Sequence, residues 1–214
     1  MITTRSRFRA ALLTLSLTAL LAAPAGASSA TPAQADRAAA SPTRPARAAA
    51  AAAARCPRVA DPLMAAADPR VDRSRITPEP VYRDNCRQLY RADGRTPAVI
   101  FKEGFRPKDT LDGQYDLRQY VLVNQPSPYV STSYDHDLYK QWKSGWNYYV
   151  DAPGGIDVNR TIGDTHRWAE QQEVAFAGGI RSQYVVGACP VDKETRREVM
   201  AGCVDNPHYV PWRG

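Results

Sequence analysis

Apolar and polar positions alternate most clearly late in the chain. Across residues 168–176, Gln171, Glu173 and Ala175 fall on one face of an extended segment, and Gln172, Val174 and Phe176 on the other. The spacing predicts a strand that carries an amide and a carboxylate side by side, roughly 6.5 to 7 Å apart. Shorter strand patterns occur at 88–91, closed by the Asp93-Gly94 turn signal, and at 129–133, where β-branched residues alternate with hydroxyls. Further strands are predicted at 147–150, at 156–158 after the Pro153-Gly154-Gly155 turn, and at 182–188. Thr96 ahead of Pro97 predicts a helix over 97–103 that Gly104 stops. Asp135 predicts the cap of a second helix running to about Lys143, and 195–200 reads as a last short one. The apolar stretch 120–123 fits a buried helical turn or a strand. Strands outnumber helices and the helices come early, so the pattern predicts an α+β domain rather than alternating βαβ units. His136 and His166 are expected on surface loops.

Composition restricts which residues belong to that domain. Arg5, Arg7 and Arg9 precede a 14-residue uncharged run at 10–23, and Ala25-Gly26-Ala27 follows as a small-residue cleavage site. This predicts a secretory signal peptide over 1–27, its apolar run too short for a permanent membrane span. Residues 28–55 are Ala, Pro, Arg, Ser and Thr without an aromatic, too little bulky apolar surface to offset the entropy of ordering; a disordered linker is expected. Residues 56–214 remain, enough for one core.

The net charge of +6 invites a nucleic-acid reading, but residues 1–55 hold seven Arg, no Lys and one Asp. Removing those from 28 basic and 22 acidic residues leaves 21 of each, so the folded part is formally neutral. It lacks the overall basic excess of a protein that tracks a DNA backbone. Cys56, Cys86, Cys189 and Cys203 all lie in this part and allow three pairings; proximity in sequence favours Cys56 with Cys86 and Cys189 with Cys203. Without a C-x-x-C, and with scattered histidines, a zinc site is not expected.

Three pieces carry candidate chemistry: Arg91 ending the first strand (Leu89-Tyr90-Arg91-Ala92-Asp93), Ser131-Thr132-Ser133, and Gln171-x-Glu173 ahead of Gly178-Gly179. In that order they resemble the signature of the mono-ADP-ribosyltransferase toxins related to cholera and pertussis toxins. Arg95 four residues after Arg91, Asn124 seven before Ser131, Trp142 after the S-T-S strand and Trp168 three before Gln171 narrow the resemblance to the pierisin/Scabin-type, guanine-specific branch. The resemblance covers residues 88–188. It implies a single catalytic domain with the ADP-ribosyltransferase split β-sandwich, helical on its N-terminal side, that is secreted and monomeric and has no membrane part. It further implies NAD as co-substrate, no metal, and transfer of ADP-ribose to the exocyclic amine of guanine in guanosine, nucleotides or DNA, with NAD hydrolysis as a side reaction.

The implied roles agree with elementary chemistry. Breaking the ribose–nicotinamide bond develops positive charge on the ribose, which a carboxylate at that carbon stabilises; this is the part expected of Glu173. Arg91 and Arg95 are expected on the NAD phosphates, Asn124 at the adenosine end, and Ser131 as the group that orients Glu173. Thr132 and Trp142 complete the expected NAD-binding set. Gln171 both donates and accepts hydrogen bonds, matching a guanine edge better than a guanidinium, and Trp168 offers a face for base stacking. The alternatives are transfer to an Asn or Cys side chain of a protein, and a non-catalytic extracellular binding domain of the same fold.

Overall fold

The computed structural model describes residues 56–213; the expected signal peptide and linker lie outside them. Eight strands make one antiparallel sheet: β1 (Leu89–Asp93), β2 (Tyr129–Ser133), β3 (Trp146–Val150), β4 (Ile156–Asp157), β5 (Glu173–Ala177), β6 (Val185–Asp192), β7 (Arg197–Glu198) and β8 (Val204–Asp205). Their order is β4-β5-β2-β1-β3-β6-β7, with β8 also on β6. Three short helices, α1 (Pro97–Glu103), α2 (Leu117–Val123) and α3 (Val158–Ile162), complete the α+β arrangement.

The ladder is not uniform. β1 pairs with β3 over five residue pairs and β2 with β5 over five, but β1 and β2 meet only at Tyr90↔Ser133. The sheet is therefore split between β1 and β2, and the residues that follow that single pair on either side can diverge. Arg91 lies just past the split on one half, and Ser131 lies two residues from it on the other.

Two apolar clusters hold the halves. Val174 and Phe176 of β5 pack with Leu89, Phe105, Tyr148 and Val185, while Ala175 and Ala177 face Leu117, Val121, Tyr129 and Ile156. All five β5 residues are buried, so this strand has a core on each face. Its side chains alternate between the two cores, and Glu173 falls on the side of Ala175.

Several local expectations need correction. The ambiguous stretch at 120–123 belongs to α2: Asp116 accepts from the Gln119 N–H at 3.0 Å, and Leu117 and Val121, four apart, are its buried positions. The strand expected at 156–158 stops at Asp157, whose carboxylate caps α3 by accepting from the Arg160 N–H at 3.1 Å. The Asp135-capped helix is a 3₁₀ segment, His136–Gln141, because Tyr139 is its one buried side chain and a longer helix would have nothing to bury. No helix forms at 195–200: the Asp192 carboxylate accepts from the Glu194 and Thr195 N–H groups and folds the chain into the β6–β7 turn. The strand containing Glu173 begins at Glu173 itself. Gln171 ends a 3₁₀ turn, Ala169–Gln171, and Gln172 adopts φ 46°, so the amide and carboxylate do not alternate along one strand.

The cysteines pair Cys56–Cys86 and Cys189–Cys203, as proximity in sequence suggests. No helix among the described residues is long and apolar enough to cross a membrane.

Candidate active site

The split in the sheet opens into a cleft of about 640 Å³. That is the size range of small-molecule and cofactor sites. Arg91, Arg95, Asn124, Ser131, Thr132, Trp142, Trp168, Gln171 and Glu173 all line it, so the structure brings together every site residue expected from the sequence. Five basic residues (Arg91, Arg95, Arg106, Lys108, Arg167) against three acidic ones (Asp93, Asp135, Glu173) give the cleft a positive balance that the neutral domain total conceals.

On one wall, β1 aligns two arginines around one carboxylate. Asp93 is buried and accepts from Arg95 Nε at 2.9 Å and Nη2 at 2.8 Å, and from Arg91 Nε at 3.2 Å. Burial alone would raise this carboxyl, but the Arg95 hydrogen bonds and the Arg91 charge outweigh it and hold the pKa at about 2. Arg91 also donates to the Ser131 carbonyl at 2.6 Å, bridging the split. Both guanidinium groups stand over the Phe105 ring, at 5.3 and 5.6 Å. Phe105 is placed there by the second of the two glycines after the Glu173 strand. Gly179 has φ +79°, and a Cβ on it would lie 2.1 Å from the Phe105 carbonyl oxygen; its absence lets Phe105 and Ile180 exchange backbone hydrogen bonds at 2.7 and 2.8 Å.

Glu173 sits at the floor, 8% exposed. Desolvation pushes its carboxyl up from the ordinary value; the Ser131 and Tyr120 hydroxyls and the Arg91 charge pull the other way. Neither hydroxyl closes a hydrogen bond of normal geometry on it, and Oε1 has no protein partner. A buried carboxylate oxygen without a protein partner fits a donor from a bound molecule. Tyr120, partly buried on α2, packs against Tyr129 with ring centroids 4.9 Å apart and the rings tilted by 46°. Burial and the nearby Glu173 charge push its phenol well up, so it remains a donor.

The other wall is a loop. Trp168 is 40% exposed, with the Arg167 guanidinium 5.0 Å from its ring centroid; Arg167 is itself held by the Leu122 carbonyl at the end of α2. The Ser133 hydroxyl donates to the Gln171 carbonyl at 2.5 Å, and Tyr134 N–H to that of Gln172, tying the loop to the end of β2. Asn124 ends α2 in the left-handed conformation with φ 53°, which asparagine tolerates. Trp142 is half exposed at the rim. The Thr132 hydroxyl is committed to the Val174 carbonyl at 2.8 Å, so its hydrogen serves the β2–β5 ladder rather than a ligand.

Three contributors are missing from the sequence expectations. Asp93 reads as part of a turn, Tyr120 as part of an ambiguous apolar stretch, and Arg167 is given no reading at all. The Arg91-x-Asp93-x-Arg95 alternation is the one signal that could have found Asp93; Tyr120 and Arg167 act across long sequence separations. Among the described residues, no three His, Cys, Asp or Glu side chains gather as a metal site.

Comparison with known proteins covers the part of the chain that builds this cleft. A family model described as Scabin-like matches residues 89–209. A guanine-specific ADP-ribosyl transferase from Streptomyces coelicolor is 66% identical over 158 residues, which span 73% of this chain and 78% of that protein. Pierisin from Pieris brassicae is 36% identical over 118 residues, 49% of this chain but 14% of that longer protein. Among solved structures, Scabin toxin from Streptomyces scabies in complex with NADH is 69% identical with a TM-score of 0.75, covering 76% of this chain and 99% of that one. With a cleft built on Arg91, Ser131 and Glu173, and with identity of this extent, the chain belongs to the Scabin-like family.

Proposed function

We propose that this protein is a secreted, monomeric mono-ADP-ribosyltransferase that cleaves NAD and transfers ADP-ribose to the exocyclic amine of guanine. The observation that carries the reading is Glu173: a buried carboxylate with an unpartnered oxygen, at the floor of a cofactor-sized cleft, beneath a pair of arginines. That orphan oxygen suits a ribose hydroxyl, and the arginine pair suits a pyrophosphate. The NADH complex and the guanine-specific relative support the same pairing of donor and acceptor. Two disulfides support an oxidising destination.

The residues divide the reaction. Asp93 fixes the side chains of Arg91 and Arg95, so their phosphate contacts need little reorganisation on binding. As the ribose–nicotinamide bond breaks, its electron pair leaves with nicotinamide and positive charge grows on the ribose. Glu173 is the charge placed to stabilise it, in a site where burial strengthens the interaction. The guanine amine then bonds to that carbon and gives up a proton. Trp168 supplies a stacking face for the base, and Gln171 supplies paired donor and acceptor groups for its edge.

Mass spectrometry of guanosine incubated with NAD and the enzyme tests the proposal. One ADP-ribose adduct with release of nicotinamide is the expected result. Labelling of protein side chains without any adduct on guanosine, single-stranded or duplex DNA overturns the acceptor assignment. The formally neutral domain leads us to expect free guanosine and single strands to react at least as readily as intact duplex. A steep fall of the duplex reaction with salt, from a rate above that of guanosine, would instead credit the basic lining of the cleft.

A further inference from the structure

The loop that carries Trp168 and Gln171 has its own brace, formed by two residues outside the cleft lining. His166 Nδ1 lies 3.3 Å from the Trp168 backbone N–H and accepts from it. Its Nε2 lies 2.9 Å from Asn159 Oδ1 on α3. Since Nδ1 accepts, the neutral ring carries its proton on Nε2, and Asn159 Oδ1 receives that proton as a hydrogen bond. The other end of the same amide, Nδ2, donates to the Ala169 carbonyl at 2.9 Å. The four groups form one closed relay in which every donor and acceptor role is determined: Trp168 N–H to His166, His166 to Asn159, Asn159 to the Ala169 carbonyl. Its two ends are adjacent residues at the start of the turn that ends in Gln171.

We propose that Asn159 and His166 are positioning residues for the acceptor half of the reaction, holding Trp168 and Gln171 in place while leaving NAD cleavage untouched. This rests on the reading of Trp168 and Gln171 as the acceptor contacts. The relay works only with neutral His166, because a protonated ring has no acceptor at Nδ1. Its surroundings favour the neutral form. Partial burial and the Arg118 charge on α2 lower its proton affinity, with Asp164 of the same loop opposing them. The brace is fully formed above the ordinary imidazole range and opens as pH falls through the lower value of the folded state.

The experiment measures guanosine transfer and NAD hydrolysis side by side, with hydrogen exchange of the Trp168 amide, in the full protein and in Asn159→Ala and His166→Asn. Asn159→Ala is expected to lower transfer about tenfold, leave hydrolysis within about twofold, and speed Trp168 amide exchange about tenfold. In the wild type the transfer-to-hydrolysis ratio falls on acidification, with its midpoint below the ordinary imidazole value. In His166→Asn, whose amide oxygen replaces Nδ1 as acceptor and does not titrate, that ratio stays flat with pH. Equal losses in both reactions, unchanged Trp168 exchange in Asn159→Ala, or an undiminished pH dependence in His166→Asn overturns the proposal. If the wild type makes no guanosine adduct, the acceptor reading fails on its own; the exchange rate still decides whether the brace exists.

Discussion

The two walls of the cleft are built in different ways. The wall assigned to NAD is regular sheet. Arg91, Asp93, Ser131 and Glu173 lie on β1, β2 and β5, their backbones fixed by ladders and their charges paired or buried. The wall assigned to the acceptor is a 3₁₀ turn and loop, with an exposed tryptophan and a residue at φ 46°, held by a handful of side-chain to backbone hydrogen bonds. Preorganised charge needs a rigid mount, whereas a loop can change what it recognises without disturbing that charge. If the comparison is right, substitutions on the first wall should stop both NAD hydrolysis and transfer. Those on the second should separate the two.

The largest effect belongs to Glu173. Glu173→Ala should reduce both reactions by about 10³-fold, the scale of removing a group that stabilises transition-state charge. Loss of transfer alone would break the comparison at its strongest point. Hydrolysis in the wild type should rise with pH as the carboxyl ionises, with a midpoint above the ordinary value of 4.5. The sign for stability is opposite. A carboxyl whose folded pKa is raised destabilises the fold when ionised, and this penalty fades as pH falls through the raised value to the ordinary one. Glu173→Gln should therefore melt at a higher temperature than wild type near neutrality, and the gain should shrink in acid.

Next comes Asp93→Asn, which leaves the Arg91 and Arg95 charges in place but removes the carboxylate that aims both. A loss of about 100-fold in kcat/KM for NAD is expected, equal in hydrolysis and transfer and expressed mainly in KM. The depressed pKa of about 2 also makes this carboxylate a source of stability, on the order of 2 kcal/mol, present above the unfolded value and lost as pH falls through the folded one. Asp93→Asn should thus flatten the acid limb of the unfolding curve, which denaturation at graded pH can measure.

The same contrast explains what could be read from the chain. Arg91, Ser131 and Glu173 were legible because strand alternation and short spacings are local rules, and the resemblance rests on those spacings. The register of Gln171 was not: a non-glycine at positive φ leaves no compositional signal, and the alternating pattern extends two residues beyond the start of the strand. α3 was missed for a related reason, since Asp157 served both as the end of a strand and as a cap. His166 and Asn159, seven apart, look like unrelated surface residues until α3 folds beside the loop. The cleft's positive balance is hidden in the domain total because folding, not sequence proximity, decides which charges share the cleft.

On the loop wall, Trp168→Ala should raise the KM for guanosine about 30-fold, within the roughly 1–3 kcal/mol of a base-stacking contact, with hydrolysis nearly unchanged. The smallest and most discriminating change is Gln171→Ala. Gln171 approaches the cleft from the end of a 3₁₀ turn, and its backbone is already fixed by the Ser133 hydroxyl and by the turn itself. Removing the side-chain amide should leave that backbone in place and delete one or two neutral hydrogen bonds to the acceptor. Transfer should fall about tenfold and hydrolysis by less than about twofold. Gln171→Glu sharpens the test, because it places a second carboxylate near Glu173 and discourages ionisation of both. It should raise the pH midpoint of hydrolysis while still losing transfer to guanine. A midpoint that does not move would place Gln171 too far from Glu173 for the two walls to share one site, and the division of roles between them would have to be redrawn.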